Sequence, residues 1–292
     1  MIELRLEALA RAKINLFLHA GTKRPDGYHA LVSWVAFAAI GDRIAADIAP
    51  TEIELNADGP FAADVPLGSD NLILRAAYAV RAERPDAIPH GARLKLSKQL
   101  PVASGIGGGS ADAAATLHLL NDLWGTKISG RELMEMGSSL GSDVPVCVYN
   151  RSALMSGRGE TIAPGPDLPA IPVVLVNPGV PVATADVFAR LSARTGIGPV
   201  YLPEEILNPG HLAAALAKTA NDLEAPALQL APQIGDVLKS LRAQNGAMFA
   251  RMSGSGATCF GLFQDDMSAQ SAAIALKRAK PNWWVAATRL DC

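Results

Sequence analysis

Apolar and polar residues alternate from Ala12 onward. Ala12, Ile14, Leu16 and Leu18 share one face of an extended chain and Lys13, Asn15, Phe17 and His19 the other, which predicts a strand. Residues 21–27, Gly-Thr-Lys-Arg-Pro-Asp-Gly, carry turn chemistry and predict a loop. A second strand is expected over residues 31–40, and alternation returns over 43–48 and 52–55, so the chain opens with a β-rich part expected to be antiparallel. The period then lengthens. Residues 71–82 read as a helix with Leu72, Ala76, Ala79 and Val80 on one side and Asn71 at its start. Residues 93–98 alternate again, with Leu94 and Leu96 inward. Over residues 111–124, Ala113, Leu117, Leu120 and Trp124 recur at three- and four-residue intervals, the mark of an amphipathic helix. Another helix is expected over 131–140, stopped by Gly141, and a short apolar strand over 145–149.

Residues 162–171, Ile-Ala-Pro-Gly-Pro-Asp-Leu-Pro-Ala-Ile, form the best candidate linker. Beyond it strands are expected over 173–176, 248–252, 258–263 and 284–289, and helices over 183–193, 211–218, 231–243 and 268–279. Strands and helices mix without a strict strand–helix–strand rhythm, which predicts an α+β fold in two domains, residues 1–163 and 164–292.

Composition narrows the classes. The 292 residues are 49% hydrophobic and 18% charged, with mean hydropathy +0.19, enough apolar material for a full core and too little charge for disorder. The formal net charge is −2 and there is no long basic block, which argues against a nucleic-acid partner held by bulk electrostatics. No apolar run reaches the roughly 18–20 residues of a membrane span, and the most hydrophobic stretch is broken by Pro172, Pro178 and Pro181. The first residues lack the apolar centre of a signal peptide. Cys147, Cys259 and Cys292 are widely separated, which fits neither a zinc site of cysteines alone nor a disulfide framework. A soluble protein of the reducing cytoplasm is expected.

The chemistry concentrates in one segment. Residues 100–112 read Leu-Pro-Val-Ala-Ser-Gly-Ile-Gly-Gly-Gly-Ser-Ala-Asp and open directly into a helix. Glycines let a backbone approach a ligand, and the helix behind them adds unpaired N–H groups and partial positive charge, so the segment suits a phosphate. A Walker loop would need a lysine after Gly109, where Ser110 stands; a dinucleotide fingerprint would need a glycine at 110. A bare strand-to-helix connection needs one glycine, and Gly105, Gly107, Gly108 and Gly109 are four. A second turn, Ser253-Gly254-Ser255-Gly256-Ala257, reads alone as a hairpin and gains meaning as a wall of the same cleft.

These residues resemble the GHMP kinases. Pro101-x3-Gly105-x-Gly107-Gly108-Gly109-Ser110-Ala111-Asp112-Ala113 is similar to their phosphate loop, Ala12–Leu16 to their first motif and residues 253–257 to their third. Further blocks resemble the branch acting on a cytidylylated methylerythritol: Arg24-Pro25-Asp26-Gly27-Tyr28-His29-Ala30-Leu31, Asp70-Asn71-Leu72-Ile73, Leu140-Gly141-Ser142-Asp143-Val144-Pro145 and Asn177-Pro178-Gly179. Pro25, Ala30 and Ala111 are mild departures, and residues 197–219 match nothing in the family's motifs. The resemblance implies an N-terminal nucleotide domain, a C-terminal ferredoxin-like domain, ATP as phosphoryl donor with Mg²⁺, and transfer to the acceptor's 2-hydroxyl in the non-mevalonate route to isoprenoid precursors.

It also implies roles. Asp143 matches the catalytic aspartate, a carboxylate that can take an alcohol's proton; by position alone it would cap a local turn. Lys13 matches the catalytic lysine, placed to stabilise the transferring phosphoryl group and to keep Asp143 ionised; otherwise it is an exposed edge lysine. Asn15, two residues on, can bond the acceptor's polar end. Pro101, Gly105, Gly107, Gly108, Gly109 and Ser110 line the ATP phosphates, Ser110 being equally a helix cap, and Asn71 lies near the adenine or is an ordinary N-cap. Asp112 reads as a helix-dipole residue and is assigned to no metal. Tyr28 and His29 are cytosine readers or loop anchors. Phe188 is a second cytosine wall or core, and Thr184 a weaker candidate of that kind. A GHMP kinase for homoserine or mevalonate, a non-catalytic nucleotide-binding regulator and a dinucleotide oxidoreductase are the competing readings; the first leaves Tyr28-His29 unexplained, and the second predicts loss of the base or the loop.

Overall fold

A computed structural model describes residues 5–24, 27–84, 91–191, 197–198 and 200–291. Along the chain the elements are β1 (Arg5–Lys23), β2 (His29–Ala49), β3 (Ile53–Asp58), α1 (Leu72–Glu83), β4 (Gly91–Ser97), α2 (Gly108–Trp124), α3 (Gly130–Leu140), α4 (Val144–Tyr149), β5 (Ala153–Gly157), β6 (Thr161–Pro164), β7 (Ile171–Asn177), α5 (Thr184–Ala189), α6 (Pro209–Leu216), α7 (Glu224–Leu230), α8 (Gln233–Arg242), β8 (Ala247–Met252), β9 (Cys259–Phe263), α9 (Asp266–Ala279) and β10 (Trp284–Asp291). The expected α+β class is what the chain forms. No helix among the described residues is long and apolar enough to cross a membrane.

Two compact units interleave along the sequence. One holds residues 1–12, 40–102 and 107–150; the other holds 13–39, 103–106 and 151–292. Compactness therefore does not follow the division at 163/164 read from the sequence. The candidate linker, residues 162–171, lies inside the second unit, because Thr161–Pro164 pairs antiparallel with Ala153–Ser156.

In the first unit, β4 pairs antiparallel with the second half of β2, from Arg43↔Ser97 to Ala49↔Gly91. β3 pairs with β4 in parallel, from Ile53↔Ala92 to Asp58↔Ser97, against the antiparallel expectation. Helices α1–α4 pack together, with Ile73, Ala76, Ala77 and Val80 of α1 and Ala113, Leu117 and Leu120 of α2 inside. Residues 145–149, expected as a strand, form helix α4. Pro145 sits at its first turn, where the missing N–H costs nothing, and Val144 to Val148 are buried throughout, so no periodicity could separate strand from helix.

In the second unit, β7, α8, β8, β9, α9 and β10 form a strand–helix–strand–strand–helix–strand unit, with α5 to α7 inserted between β7 and α8, and the strands stand in the order β10-β7-β9-β8, all antiparallel. This is the split ferredoxin-like arrangement. Its core joins Val174 and Val176 to Ile234, Val237, Leu241, Phe263, Ala272 and Leu276 from strands and helices. The first half of β2 pairs with β5, and Phe37 and Ala38 pair with the end of β10. Gly21 to Lys23, expected in a loop, continue β1, and β2 begins at His29; Pro25 and Asp26, part of the expected loop, lie outside the described residues. The helix expected over 183–193 is seen over Thr184–Ala189, and residues 192 and 193 lie outside the described ones.

Candidate active site

The glycines of residues 105–109 serve different ends. Gly105 is left-handed, at φ 76°, and a Cβ there would sit 2.6–2.7 Å from the Gly256 backbone and the Ser253 carbonyl, so no side chain fits. Gly107, at φ 64°, is the N-cap of α2 and has no side chain to cap it, which leaves the first-turn amides to an outside acceptor. Gly108, Gly109 and Ser110 form that first turn. Around Gly109 there is room: a Cβ would meet only Leu72 Cδ1, at 3.8 Å. Pro101 is buried where the segment begins.

Beneath this turn is a buried ionic cluster. Lys98 Nζ donates to Asp42 Oδ2 at 2.6 Å and to Asp112 Oδ2 at 2.7 Å, with the lysine and both carboxylates within 5% of full burial. Asp42 Oδ1 accepts the backbone N–H of Gln99 at 2.6 Å and of Leu100 at 2.9 Å. Asp112 Oδ1 is buried and accepts no hydrogen bond. Burial raises the Asp112 carboxyl, against the pull of Lys98 and with the repulsion of Asp42, to about 7, while the two carboxylates raise the Lys98 ammonium above its ordinary value despite its burial. Asp112 is thus more than a helix-dipole residue.

In the second unit the turn at residues 253–257 packs on the start of the glycine segment. Ser253 Oγ accepts from Asn15 N–H at 3.0 Å and donates to the Gly105 carbonyl at 3.1 Å, and Thr258 N–H donates to the Ser104 carbonyl. It is a hairpin turn between β8 and β9 and also a neighbour of the first loop. Asn221 Nδ2 donates to the Met252 and Gly254 carbonyls, both at 2.8 Å, and fixes how that turn faces. Asn15 Nδ2 donates to Ser33 Oγ, which donates to the Phe17 carbonyl. The Asn15 carboxamide oxygen is buried and accepts no hydrogen bond from the protein.

The aromatic candidates gather in the same unit. The His29 ring stacks on Phe188, and its Nδ1–H donates to the Gly21 carbonyl at 3.0 Å, so a neutral imidazole presents Nε2 as an acceptor. Tyr28 is more than half exposed and carries the Arg158 guanidinium 4.7 Å from its ring centre, so it is no buried anchor. Phe188 packs in part against the core, which both of its expected roles require. Thr184 Oγ1 shares a hydrogen bond with Ser255 Oγ at 2.9 Å, tying α5 to the second glycine turn.

The remaining candidates are placed as follows. Lys13 is buried in β1, not exposed at an edge, and its N–H donates to the Ile106 carbonyl. Asp143 occupies the N-cap position of α4, yet its side chain makes no capping bond. Asn71 is the N-cap of α1: its Oδ1 accepts from Ile73 N–H at 2.8 Å and its Nδ2 donates to the Pro66 carbonyl at 2.6 Å.

Comparison with known proteins supplies the family. Residues 71–151 match the GHMP kinases N terminal domain and residues 206–282 the GHMP kinases C terminal domain. A Cereibacter sphaeroides protein named 4-diphosphocytidyl-2-C-methyl-D-erythritol kinase is 49% identical over 97% of this chain and 99% of its own. The chain belongs to the GHMP kinase family. It is an ATP-dependent phosphotransferase. A Caulobacter vibrioides protein of the same name is 42% identical over 99% of this chain and 100% of its own. Among solved structures, 4-(cytidine 5'-diphospho)-2C-methyl-D-erythritol kinase superposes with TM-score 0.77 at 34% identity, over 98% of this chain and 100% of that one. Cytophaga hutchinsonii homoserine kinase, TM-score 0.72 at 17% identity over 100% and 96%, shares the fold.

Several buried polar residues near the candidates in each unit were not singled out from the sequence: Lys98 and Asp42 in the first, Ser33, Asn221 and Arg251 in the second. Lys98 left a signal, since it continues the inward register of Leu94 and Leu96, where a lysine is out of place. Arg251 donates to the carbonyls of Leu16, Leu216 and Thr219 and to Thr219 Oγ1, which ties the residues after α6 to β1; burial lowers it to about 10. No spacing rule marks such long-range pairs.

Proposed function

We propose that this GHMP kinase transfers the γ-phosphoryl group of ATP to the 2-hydroxyl of 4-diphosphocytidyl-2-C-methyl-D-erythritol, in the cytoplasm and in the non-mevalonate route to isoprenoid precursors. The observation that carries the reading is near-full-length identity of 49% to an enzyme of that name, in a chain where His29 and Phe188 stack.

The roles follow from chemistry. The amides of Gly108, Gly109 and Ser110 at the start of α2 bind the phosphates, with Gly105 and Gly107 supplying the backbone turns and Pro101 the start of the segment. Asp143 accepts the hydroxyl proton while the acceptor oxygen bonds to the γ-phosphorus and the bond to the ADP oxygen breaks. Lys13 stabilises the charge on the phosphoryl group in flight. The unpaired Asn15 oxygen accepts from the acceptor's hydroxyls; Tyr28, His29 and Phe188 hold the cytosine, and Thr184 shapes that end through Ser255. Asn71 reaches the adenine with the Nδ2 hydrogen that Pro66 does not use. Mg²⁺ would accompany the ATP phosphates and offset part of their charge; among the described residues no three His, Cys, Asp or Glu side chains gather to hold a metal.

ATP turnover against cytidylylated methylerythritol, methylerythritol phosphate, homoserine and mevalonate tests the reading. Turnover with the first alone supports it; preference for homoserine or mevalonate overturns it.

A further inference from the structure

We infer that Lys98 is a positioning residue, which holds the two ends of the glycine segment so that its amides face the ATP phosphates, and that it is not itself a nucleotide ligand. The inference rests on the reading of residues 101–110 as the phosphate site. Two of the three Nζ hydrogens are committed, to Asp42 and Asp112, and the side chain is 4% exposed, so the cation is used inside the protein. Asp42 holds the amides of Gln99 and Leu100, where the segment begins; Asp112 sits in α2, where it ends. Lys98 thereby joins the two. Gly108 completes the fit, because a Cβ there would lie 3.2 Å from Nζ and displace it.

Stability alone does not account for the cluster. Two carboxylates share one ammonium, and Asp112 Oδ1 has no donor. Apolar side chains of similar volume commonly do as well or better than a buried ion cluster. What charged hydrogen bonds supply is direction. Between Leu100 and α2 the Ser104, Gly105 and Ile106 carbonyls are held by Thr258, Ser253 and Lys13, whereas Gly107, left-handed at φ 64°, leaves the direction of the first-turn amides to α2, which Asp112 ties to Lys98.

The test is kinetic. Asp112→Leu cuts the tie to α2 and leaves a charge-balanced Lys98–Asp42 pair; Asp112→Asn keeps an oxygen that accepts from Lys98. Asp112→Leu is expected to raise KM for ATP about tenfold, the scale of one charged hydrogen bond, with KM for the acceptor unchanged, and Asp112→Asn to restore most of it. A purely structural role would reduce the active fraction, and hence kcat, without this split. Should Asp112→Leu fail to fold, Lys98→Met/Asp42→Asn/Asp112→Leu, uncharged and still accepting from Gln99 and Leu100, is expected to show the same rise. Gly109→Asp, which sets a carboxylate among the first-turn amides, is the control for the loop. If it abolishes ATP binding while folded Asp112→Leu, or the triple variant, keeps KM for ATP within about twofold of the parent, the positioning role is wrong and the phosphate site stands. If Gly109→Asp also leaves ATP affinity unchanged, the phosphate site itself is wrong.

Discussion

The imidazole of His29 lies against the ring of Phe188, with centroids 5.6 Å apart and planes 27° from parallel. His29 opens β2 and Phe188 belongs to α5, so one aromatic pair draws on two distant parts of the chain. His29→Ala and Phe188→Ala should each raise the acceptor's KM ~10- to 100-fold, from a stacking contribution of ~1–3 kcal/mol, and leave KM for ATP unchanged. Because the rings touch, the double variant should lose less than the product of the two single losses. Steady-state kinetics on all three variants measures this; fully multiplicative losses would mean that the stack is not one binding element.

Gly109→Asp should fold and yet fail to bind ATP. Its Cβ meets only Leu72, and an acid in the first turn of a helix favours the helix dipole, so thermal stability should hold or rise. The same carboxylate repels phosphate. Calorimetry with a non-hydrolysable ATP analogue reads the loss, and unchanged affinity would remove the phosphates from this turn. Gly108→Val is a poorer probe, because its branches would press on Lys98 before reaching any ligand.

Asp143→Asn should reduce kcat by ~10²–10⁴, the usual cost of losing a general base, with ATP affinity and thermal stability preserved. The stability half of the prediction follows from the near-equal volume and shape of the two side chains, the kind of exchange a fold tolerates best. Near-full turnover would exclude Asp143 as the base, and a marked fall in melting temperature would make it structural.

Asp112 ties stability to pH. Its carboxyl, raised from 3.8 to about 7 by burial, holds a proton more tightly in the folded than in the unfolded chain. Between those values the native state carries more protons, so the contribution of this group falls as pH rises. The urea midpoint of Asp112→Asn should therefore gain on that of the parent from pH 4 to pH 7.5. A difference that does not vary with pH would mean that Lys98 keeps Asp112 ionised. Lys98 itself, raised by its two carboxylates, contributes fully below 10.5 and loses its part only as pH passes its raised value.

Local chemistry was legible in the sequence. Strand β1, the start of α1 at Asn71 and the opening of α2 follow from alternation, capping and glycine content, which act over a few residues. Pairing direction does not, and β3 joins β4 in parallel although neither sequence encodes it. Val-Pro-Val-Cys-Val in α4 misleads because a short run buried on all sides carries no period. Each of His29 and Phe188 could be named through resemblance, but not that they touch. The Lys98 cluster joins residues 42, 98 and 112, and only the lysine's inward register hinted at it.

The interleaved chain has a consequence for synthesis. Phe37 and Ala38 pair with Asp291 and Leu290, residues translated long after them. At ~5–20 residues per second the nascent segment waits on the order of ten to fifty seconds for its partner. Over that interval Phe37 and Ala38, both buried in the finished protein, have no completed β10 to pair with. A ribosome that stalls before residue 284 would leave β7 without its β10 neighbour, since the whole of Ile171–Asn177 is matched by Trp284–Leu290. Truncated products of this gene should therefore be chaperone clients and protease substrates, not half-active enzymes.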